Sequence, residues 1–325
     1  MKVSVVVPVR NEAQSIRALL DSLLSQTRVP DEIVITDGGS TDSTTQIIDE
    51  YISRGAPVRL IREQAALPGR GRNVSAANAS YDWLAFTDGG IRPARDWLQT
   101  LIRNVEQDST LDVVYGTWEP VVDTFFRECA AIAYVVPPEP VEGGTIRKRV
   151  IASTLMRKSV WSAVGGFPED LRSAEDLVFM NAIEQANFHV LYEPRAIVQW
   201  SIQPTFGRTF KRFALYSGNN IRAGLWGKWQ GPVFRRYLVV GFWALVAIAL
   251  GRQWLFTIPL VWLLMLAARA VVALRRNALT YPATVWRNAR RLLLLIPIIA
   301  TLDAATFVGT INWLLSDKLT STKRA

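Results

Sequence analysis

Along the first 86 residues, short continuous apolar runs alternate with longer stretches in which apolar side chains recur at helical spacing. Val3-Ser4-Val5-Val6-Val7 has the length of a strand, and residues 12–24 then repeat their apolar positions as one face of a helix. Residues 33–35 predict a second strand and 43–52 a second helix. Residues 58–61 and 83–86 predict two more strands, with a polar helix-like segment at 72–79 between them. Runs that are apolar throughout suit strands covered on both faces, and repeated strand-helix-strand units suit parallel pairing. The expectation is an α/β domain, a Rossmann-like sheet with helices on both faces. Ligands of such sheets bind beyond the carboxyl ends of the strands. Polar clusters fall just there: Arg10-Asn11-Glu12 after the first strand, residues 37–42 after the second, and Thr87-Asp88-Gly89-Gly90 after the fourth. No G-x-G-x-x-G follows the first strand, which argues against a dinucleotide enzyme.

Past residue 200 the pattern changes. Residues 205–224 carry Phe206, Phe210, Phe213 and Tyr216 at helical spacing, with Arg208, Lys211 and Arg212 between them. A helix lying in a membrane interface reads this way, and so does an ordinary surface helix. Residues 237–251 and 254–274 are nearly uncharged and are parted only by Arg252-Gln253. The second run meets the roughly 20-residue requirement for a span, and the first reaches it only with flanking residues. A helical hairpin through a bilayer is expected. A third apolar run, 292–315, is long enough to span but contains Pro297, Asp303 and Asn312. Spanning there would place Lys318, Lys323 and Arg324 outside, against the charge bias, so spanning and interfacial placements both stay open.

Charge sharpens this picture. Residues 200–325 hold 17 Lys and Arg against two acids, Asp303 and Asp317, while the remainder is net acidic. The basic residues flank the apolar runs, which fits an anionic membrane surface better than a nucleic acid. Both flanks of the hairpin are basic, so both are expected in the cytoplasm, with the first domain. The N-terminal run is short, is broken by Pro8 and leads into polar residues, unlike a signal peptide. A single cysteine, Cys129, excludes an internal disulfide, and with a single histidine, His189, a zinc site of the usual ligands is not expected.

Candidate chemistry lies in four places. Asp37 ends a strand ahead of two glycines, where a carboxylate can accept from a base N–H while the backbone approaches closely. Arg70 and Arg72, flanked by Gly69 and Gly71 at a helix start, suit a diphosphate. Asp88 follows an apolar strand, and a carboxylate with phosphate oxygens binds Mg²⁺ or Mn²⁺. Glu175-Asp176 opens a helix pattern after Gly165-Gly166-Phe167, where a carboxylate can deprotonate an acceptor hydroxyl. Taken singly, each is also compatible with a turn, a solvated loop or a helix start, with Asp42 or Ser43 capping the second helix.

Their order is more specific. The block Val3 to Glu12, the Asp37 turn, Arg72-Asn73, the Asp88 turn, Gly165-Gly166-Phe167 and Glu175-Asp176 together resemble the family 2 glycosyltransferases, over about residues 1–200. The resemblance implies a GT-A fold, a mixed sheet with helices on both faces, here followed by C-terminal interfacial and transmembrane helices. It implies inverting transfer, most often from a UDP-sugar, with a divalent cation. Pro8, Arg10, Glu12, Asp37, Arg70, Arg72 and Asp88 would then bind the donor. Asp88 would also meet the metal as the first acid of the D-x-D motif. Asp176 would be the base, with Glu175 beside it. Two positions depart from the family: Gly90 stands for the second acid of D-x-D, and Gly38 for the second acid of the D-D-x-S turn. Asp88 would therefore hold a cation alone, with phosphates and water, or the site is altered. The Q-x-x-R-W motif of processive synthases is absent, with only Gln203 and Arg208 nearby, so single additions are expected.

The domain expectation is a catalytic domain at 1–204, an amphipathic interfacial segment at 205–232 and a membrane region at 233–325. The expected enzyme is a multi-pass cell-membrane protein. It would move one sugar from a nucleotide-sugar to a lipid-linked or polysaccharide-precursor acceptor, without nucleic acid as a partner. The alternatives are a degenerate membrane partner of an active transferase and a nucleotidyltransferase on a similar sheet.

Overall fold

A computed structural model describes residues 1–321 of the chain; Lys323 and Arg324 of the basic tail lie outside the described residues. The chain divides into two compact units, Met1–Val121 with Pro138–Ser201, and Val122–Pro137 with Ile202–Ala325.

The first unit runs β1 (Val3–Val9), α1 (Ile16–Leu24), β2 (Glu32–Asp37), α2 (Thr44–Ser53), β3 (Val58–Arg62), α3 (Pro68–Asn78), β4 (Trp83–Phe86) and β5 (Ile91–Pro93). It continues with α4 (Trp97–Gln107) and β6 (Val113–Val121). After α5 (Phe125–Tyr134), which belongs to the second unit, come β7 (Glu139–Val141), β8 (Gly144–Ile146), β9 (Thr154–Arg157), α6 (Lys158–Ala163), α7 (Glu175–Gln185) and β10 (Val190–Ser201).

One eight-stranded sheet has the order β3-β2-β1-β4-β9-β6-β10-β5. The expected half is parallel: β1 pairs with β2 and β4, and β2 with β3. β9 is antiparallel to both neighbours and β5 to β10, which makes the sheet mixed. Alternation along β1 builds two core layers. Val3, Val5, Val7 and Val9 pack with Ile16, Leu20 and Ile48 and with Trp97 of α4. Val6 faces the other way, with Val34, Phe86, Ala76 of α3 and Phe179 of α7. Helices therefore cover both faces. Because β1, β2 and β4 are parallel, Glu12, Asp37 and Asp88 leave the sheet at one edge.

α1 starts at Ile16, not at residue 12 as the spacing predicts. Asn11 takes a left-handed φ of 56° and the carbonyl of Glu12 accepts from Ser15 and Ile16 N–H, so residues 11–15 form a turn instead. α3 begins earlier than expected, with Pro68 in its first turn, so Arg70 and Arg72 both lie within the helix.

The second unit is helical: α5, α8 (Phe206–Arg222), α9 (Trp226–Leu250), α10 (Thr257–Arg276) and α11 (Val285–Ser321). The aromatic stripe of α8 packs on α5, Phe206 against Phe126 and Phe213 against Tyr134, with ring centres 5.0 and 4.8 Å apart. Cys129 of α5 is buried, as expected of a small apolar side chain. Its neighbour Glu128 is clamped by Arg287 and Arg291 of α11.

Three helices, Trp226–Leu250, Arg252–Arg276 and Val285–Ser316, are long and apolar enough to cross a membrane. α9 starts at Trp226, well before residue 237, which supplies the length the first apolar run lacks. The third run lies inside the continuous helix α11 despite Pro297. Leu238, Phe242, Leu245, Phe256 and Leu293 of these helices stay exposed, an apolar surface larger than single scattered side chains would make. Asp303 is buried and paired with Arg269 through both carboxylate oxygens, and Tyr237 donates to it at 3.2 Å. A partner of opposite charge is what a buried carboxylate requires.

Candidate active site

Arg72 organises the site. Its guanidinium, 4% exposed, donates from one terminal nitrogen to Glu175 Oε1 and from the other to Asp88 Oδ1, both at 2.7 Å. A guanidinium can do this because its donors are set in a rigid fork. Burial opposes its charge, but Asp88, Glu175 and Asp176 more than offset this and hold it charged above the usual arginine range. The Phe167 ring closes one side, 5.4 Å from the guanidinium carbon. Phe167 in turn stacks on Phe179 at 3.8 Å and tilts against Phe86 at 5.6 Å.

The turn that delivers Phe167 is held by Asn73, one residue after Arg72. Asn73 Oδ1 accepts from Phe167 N at 2.9 Å and from Trp161 Nε1 at 3.0 Å, and its Nδ2 donates to the Phe167 carbonyl at 2.9 Å. Glycine is required where α3 meets this turn: a Cβ on Gly69 would lie 2.0 Å from the Pro168 carbonyl oxygen. Gly71 meets Pro8, whose Cβ would be 3.0 Å from a Cβ there.

Asp176 stands on the first turn of α7, after Ala174 at φ 70°. Its Oδ1 accepts from Leu177 N at 2.8 Å. The side chain keeps some surface open but lies among dense neighbours, and this desolvation pushes its carboxyl up to about 6. The charges of Glu175 and Asp88 add to the rise, and Arg72 opposes it. A carboxylate placed so is poised to accept a proton near neutral pH. Glu175 is buried, and its second oxygen has no partner among the described residues.

At the β2 edge, Asp37 accepts from Gly39 N at 3.2 Å and from Ser40 N at 3.1 Å, so its carboxylate braces its own turn. Gly38 has a steric reason. A Cβ there would sit 2.5 Å from the Ala66 carbonyl oxygen, so no acid can stand at that position without moving backbone. Asp42, which accepts from Thr44 N at 3.0 Å, covers the start of α2. The loop after β1 is tied to this edge by Asn11 N to Ser40 Oγ at 2.8 Å and Glu12 N to Thr44 Oγ1 at 2.8 Å.

The predicted residues are thus gathered unequally. Arg72, Asp88, Glu175 and Asp176 form one cluster. Asp37 and Pro8 lie at the same sheet edge, and Arg10 is exposed there. Arg70 is not in the cluster: exposed, it pairs with Glu63 at 3.1 Å and Glu169 at 3.4 Å. It lines an open cavity of about 530 Å³ whose walls include Glu63, Asn73, Trp161 and Glu169 but none of the clustered acids. Asn73, named in the sequence only with Arg72 in the order of motifs, is the residue that fixes the Phe167 turn. Among the described residues no group of three or more His, Cys, Asp and Glu side chains is set to hold a metal ion.

Three comparisons bear on this geometry. The family described as glycosyl transferase family 2 matches residues 4–159, which takes in β1 through β9 and ends before Glu175. The pre-mycofactocin glycosyltransferase of Mycobacterium tuberculosis is 25% identical over 67% of this chain and 46% of its own, so the chain spans about half the length of that relative. Two solved structures share the fold. One is the mannosyltransferase PcManGT of Pyrobaculum calidifontis in complex with GDP-Man and Mn²⁺, at a TM-score of 0.55, 19% identity, and coverage of 96% of this chain and 87% of that one. The other is Staphylococcus aureus TarS 1–349 in complex with UDP-GlcNAc, at 0.50, 19%, 95% and 92%. With the site's motifs in their expected order on this mixed sheet, residues 4–159 match a glycosyl transferase family 2 domain, and the chain shares the GT-A fold of these solved structures.

Proposed function

We propose that this chain is an inverting, membrane-associated transferase that moves a single sugar from a nucleotide-sugar, with UDP-sugars the first candidates, to a lipid-linked or polysaccharide-precursor acceptor. The observation that carries the reading is the joining of Asp88, Arg72 and the Glu175-Asp176 helix start in one buried cluster. The acceptor hydroxyl attacks the anomeric carbon and gives its proton to Asp176. The bond to the diphosphate oxygen breaks, and its electron pair leaves with the nucleoside diphosphate. Asp37, Pro8 and Arg10 take the nucleoside side of the donor. Arg72 sets Asp88 and Glu175 in place.

Asp88 fits a divalent cation. Arg72 uses one of its oxygens, and the two glycines after it add no side chain of their own to the turn. With few protein ligands, the cation would fill its shell from phosphate and water. When bound, it would offset the charge developing on the leaving diphosphate. That the mannosyltransferase neighbour carries Mn²⁺ supports this reading.

Detergent-purified full-length protein, given Mn²⁺ and a panel of UDP- and GDP-sugars, is expected to release nucleoside diphosphate from one donor. Release of pyrophosphate, or no donor binding at all, would overturn the transferase reading. Asp88→Ala is expected to weaken donor binding in Mn²⁺ far more than in EDTA. Equal loss in both would remove Asp88 from the cation.

The domain reading assigns residues 1–204 to catalysis, 205–232 to the interface and 233–325 to the membrane. An amphiphilic acceptor follows from the apolar helices. The catalytic domain and residues 275–291 are placed in the cytoplasm, because moving basic loops outward is costly. Cysteines at Gln253 and Ala278, both exposed positions, in a Cys129→Ser background report the two sides of α10. An impermeant thiol reagent on intact cells is expected to label position 253 only; labelling of position 278 alone reverses the orientation.

A further inference from the structure

We infer that Glu12, reaching in from the loop after β1, supplies the second carboxylate of the cation site, in the place left by Gly90. The inference rests on the assignment of Asp88 to a cation made above.

The observation is a steric one. A Cβ on Gly89 would meet Glu12 Cγ at 2.9 Å and Cδ at 3.4 Å, and a Cβ on Gly90 would lie 3.8 Å from Glu12 Oε2. The Glu12 carboxyl therefore lies over the Asp88-Gly89-Gly90 turn and fills the space a side chain at 89 would take. Neither glycine has a positive φ, so backbone conformation does not require glycine at either position. What limits a side chain at Gly89 is the Glu12 side chain, with Val9 Cγ1 beside it at 3.3 Å.

Glu12 is held for this position. Asn11 turns the chain at φ 56°, Glu12 N donates to Thr44 Oγ1 at 2.8 Å, and Ala13 N donates to Asp42 Oδ2 at 3.2 Å. Ser15 Oγ donates to Glu12 Oε2, which orients the carboxylate. Charge points the same way. Three carboxylates, Asp88, Glu175 and Asp176, gather around the single guanidinium of Arg72, and Glu12 adds a fourth over the turn that Asp88 opens. Gathered acids with one cation among them favour a second positive charge, and hard oxygen donors on two loops suit Mn²⁺ or Mg²⁺. An acid moved from the turn to a facing loop keeps the ligand while changing its origin in the sequence.

The test is Mn²⁺ affinity, read by electron paramagnetic resonance of free Mn²⁺ in full-length protein with saturating UDP. Wild type, Asp88→Asn, Glu12→Gln and Glu12→Gln with Gly90→Asp are compared, each checked by thermal melt. Glu12→Gln is expected to weaken Mn²⁺ binding by about tenfold or more, on the scale of lost coordination support. Adding Gly90→Asp is expected to restore affinity to within about threefold of wild type, because the returned acid faces the same space. Wild-type affinity in Glu12→Gln alongside a loss in Asp88→Asn would overturn the role of Glu12 and leave the Asp88 site standing. Failure of Gly90→Asp to restore binding in a folded double variant would also overturn it. Wild-type affinity in Asp88→Asn would remove the cation reading and this inference together.

Discussion

Asp176→Asn is expected to lower turnover by about 10²-fold or more while donor binding stays near wild type, the usual contribution of a positioned base. Asparagine preserves the shape and the hydrogen bond from Leu177 N, but it cannot take a proton. The pH profile should carry the same signature. Burial and the charges of Glu175 and Asp88 push the Asp176 carboxyl up to about 6, so the rate should rise as pH passes through that value and level off above it. For stability the sign is opposite. The folded chain holds this proton more tightly than the unfolded one, so ionisation at Asp176 removes stability as pH climbs from about 4 to about 6. Near wild-type transfer by Asp176→Asn would shift the base to Glu175.

Arg72→Met is expected to be the most destabilising change at the site, by about 3–5 kcal/mol, because it leaves Asp88 and Glu175 without their partner. Arg72→Lys should recover little, since one ammonium cannot hold two carboxylates in a fixed fork. Thermal melts of the full chain with and without donor would read the effect. A melt of Arg72→Met coincident with wild type would mean that the guanidinium does not hold the cluster together.

The parallel half of the sheet could be read along the chain because each strand and its helix are local and β1, β2 and β4 are buried on both faces. The antiparallel half could not. β9 slots between β4 and β6, pairing Trp83 with Arg157 across more than seventy positions, and nothing in a short polar-flanked run marks such a partner. Asp37 and Asp88 were legible because they follow strands and Glu175-Asp176 because it opens a helix pattern, yet the sharing of Arg72 by Asp88 and Glu175 was not. Arg70 and Arg72 look alike in sequence, but two residues on a helix are about 200° apart, so one is buried among acids and the other faces Glu63. Gly38 and Gly90 appeared only as missing acids. The reason at Gly38, the Ala66 carbonyl, arrives from a distant loop, and so does the Glu12 side chain that covers the turn before Gly90. Asp303 read as a flaw in a span, although Arg269, the charge inside the other apolar run, was the clue to its partner.

Direct displacement with Asp176 as base has one stereochemical consequence, and the anomeric configuration of the product tests it most directly. Full-length wild-type protein is supplied with its best donor and acceptor, and the new linkage is read by the proton coupling at the anomeric carbon. The account predicts inversion, a β-linked product from an α-linked donor, with no product from Asp176→Asn over the same time. A product that retains the donor's configuration would contradict it.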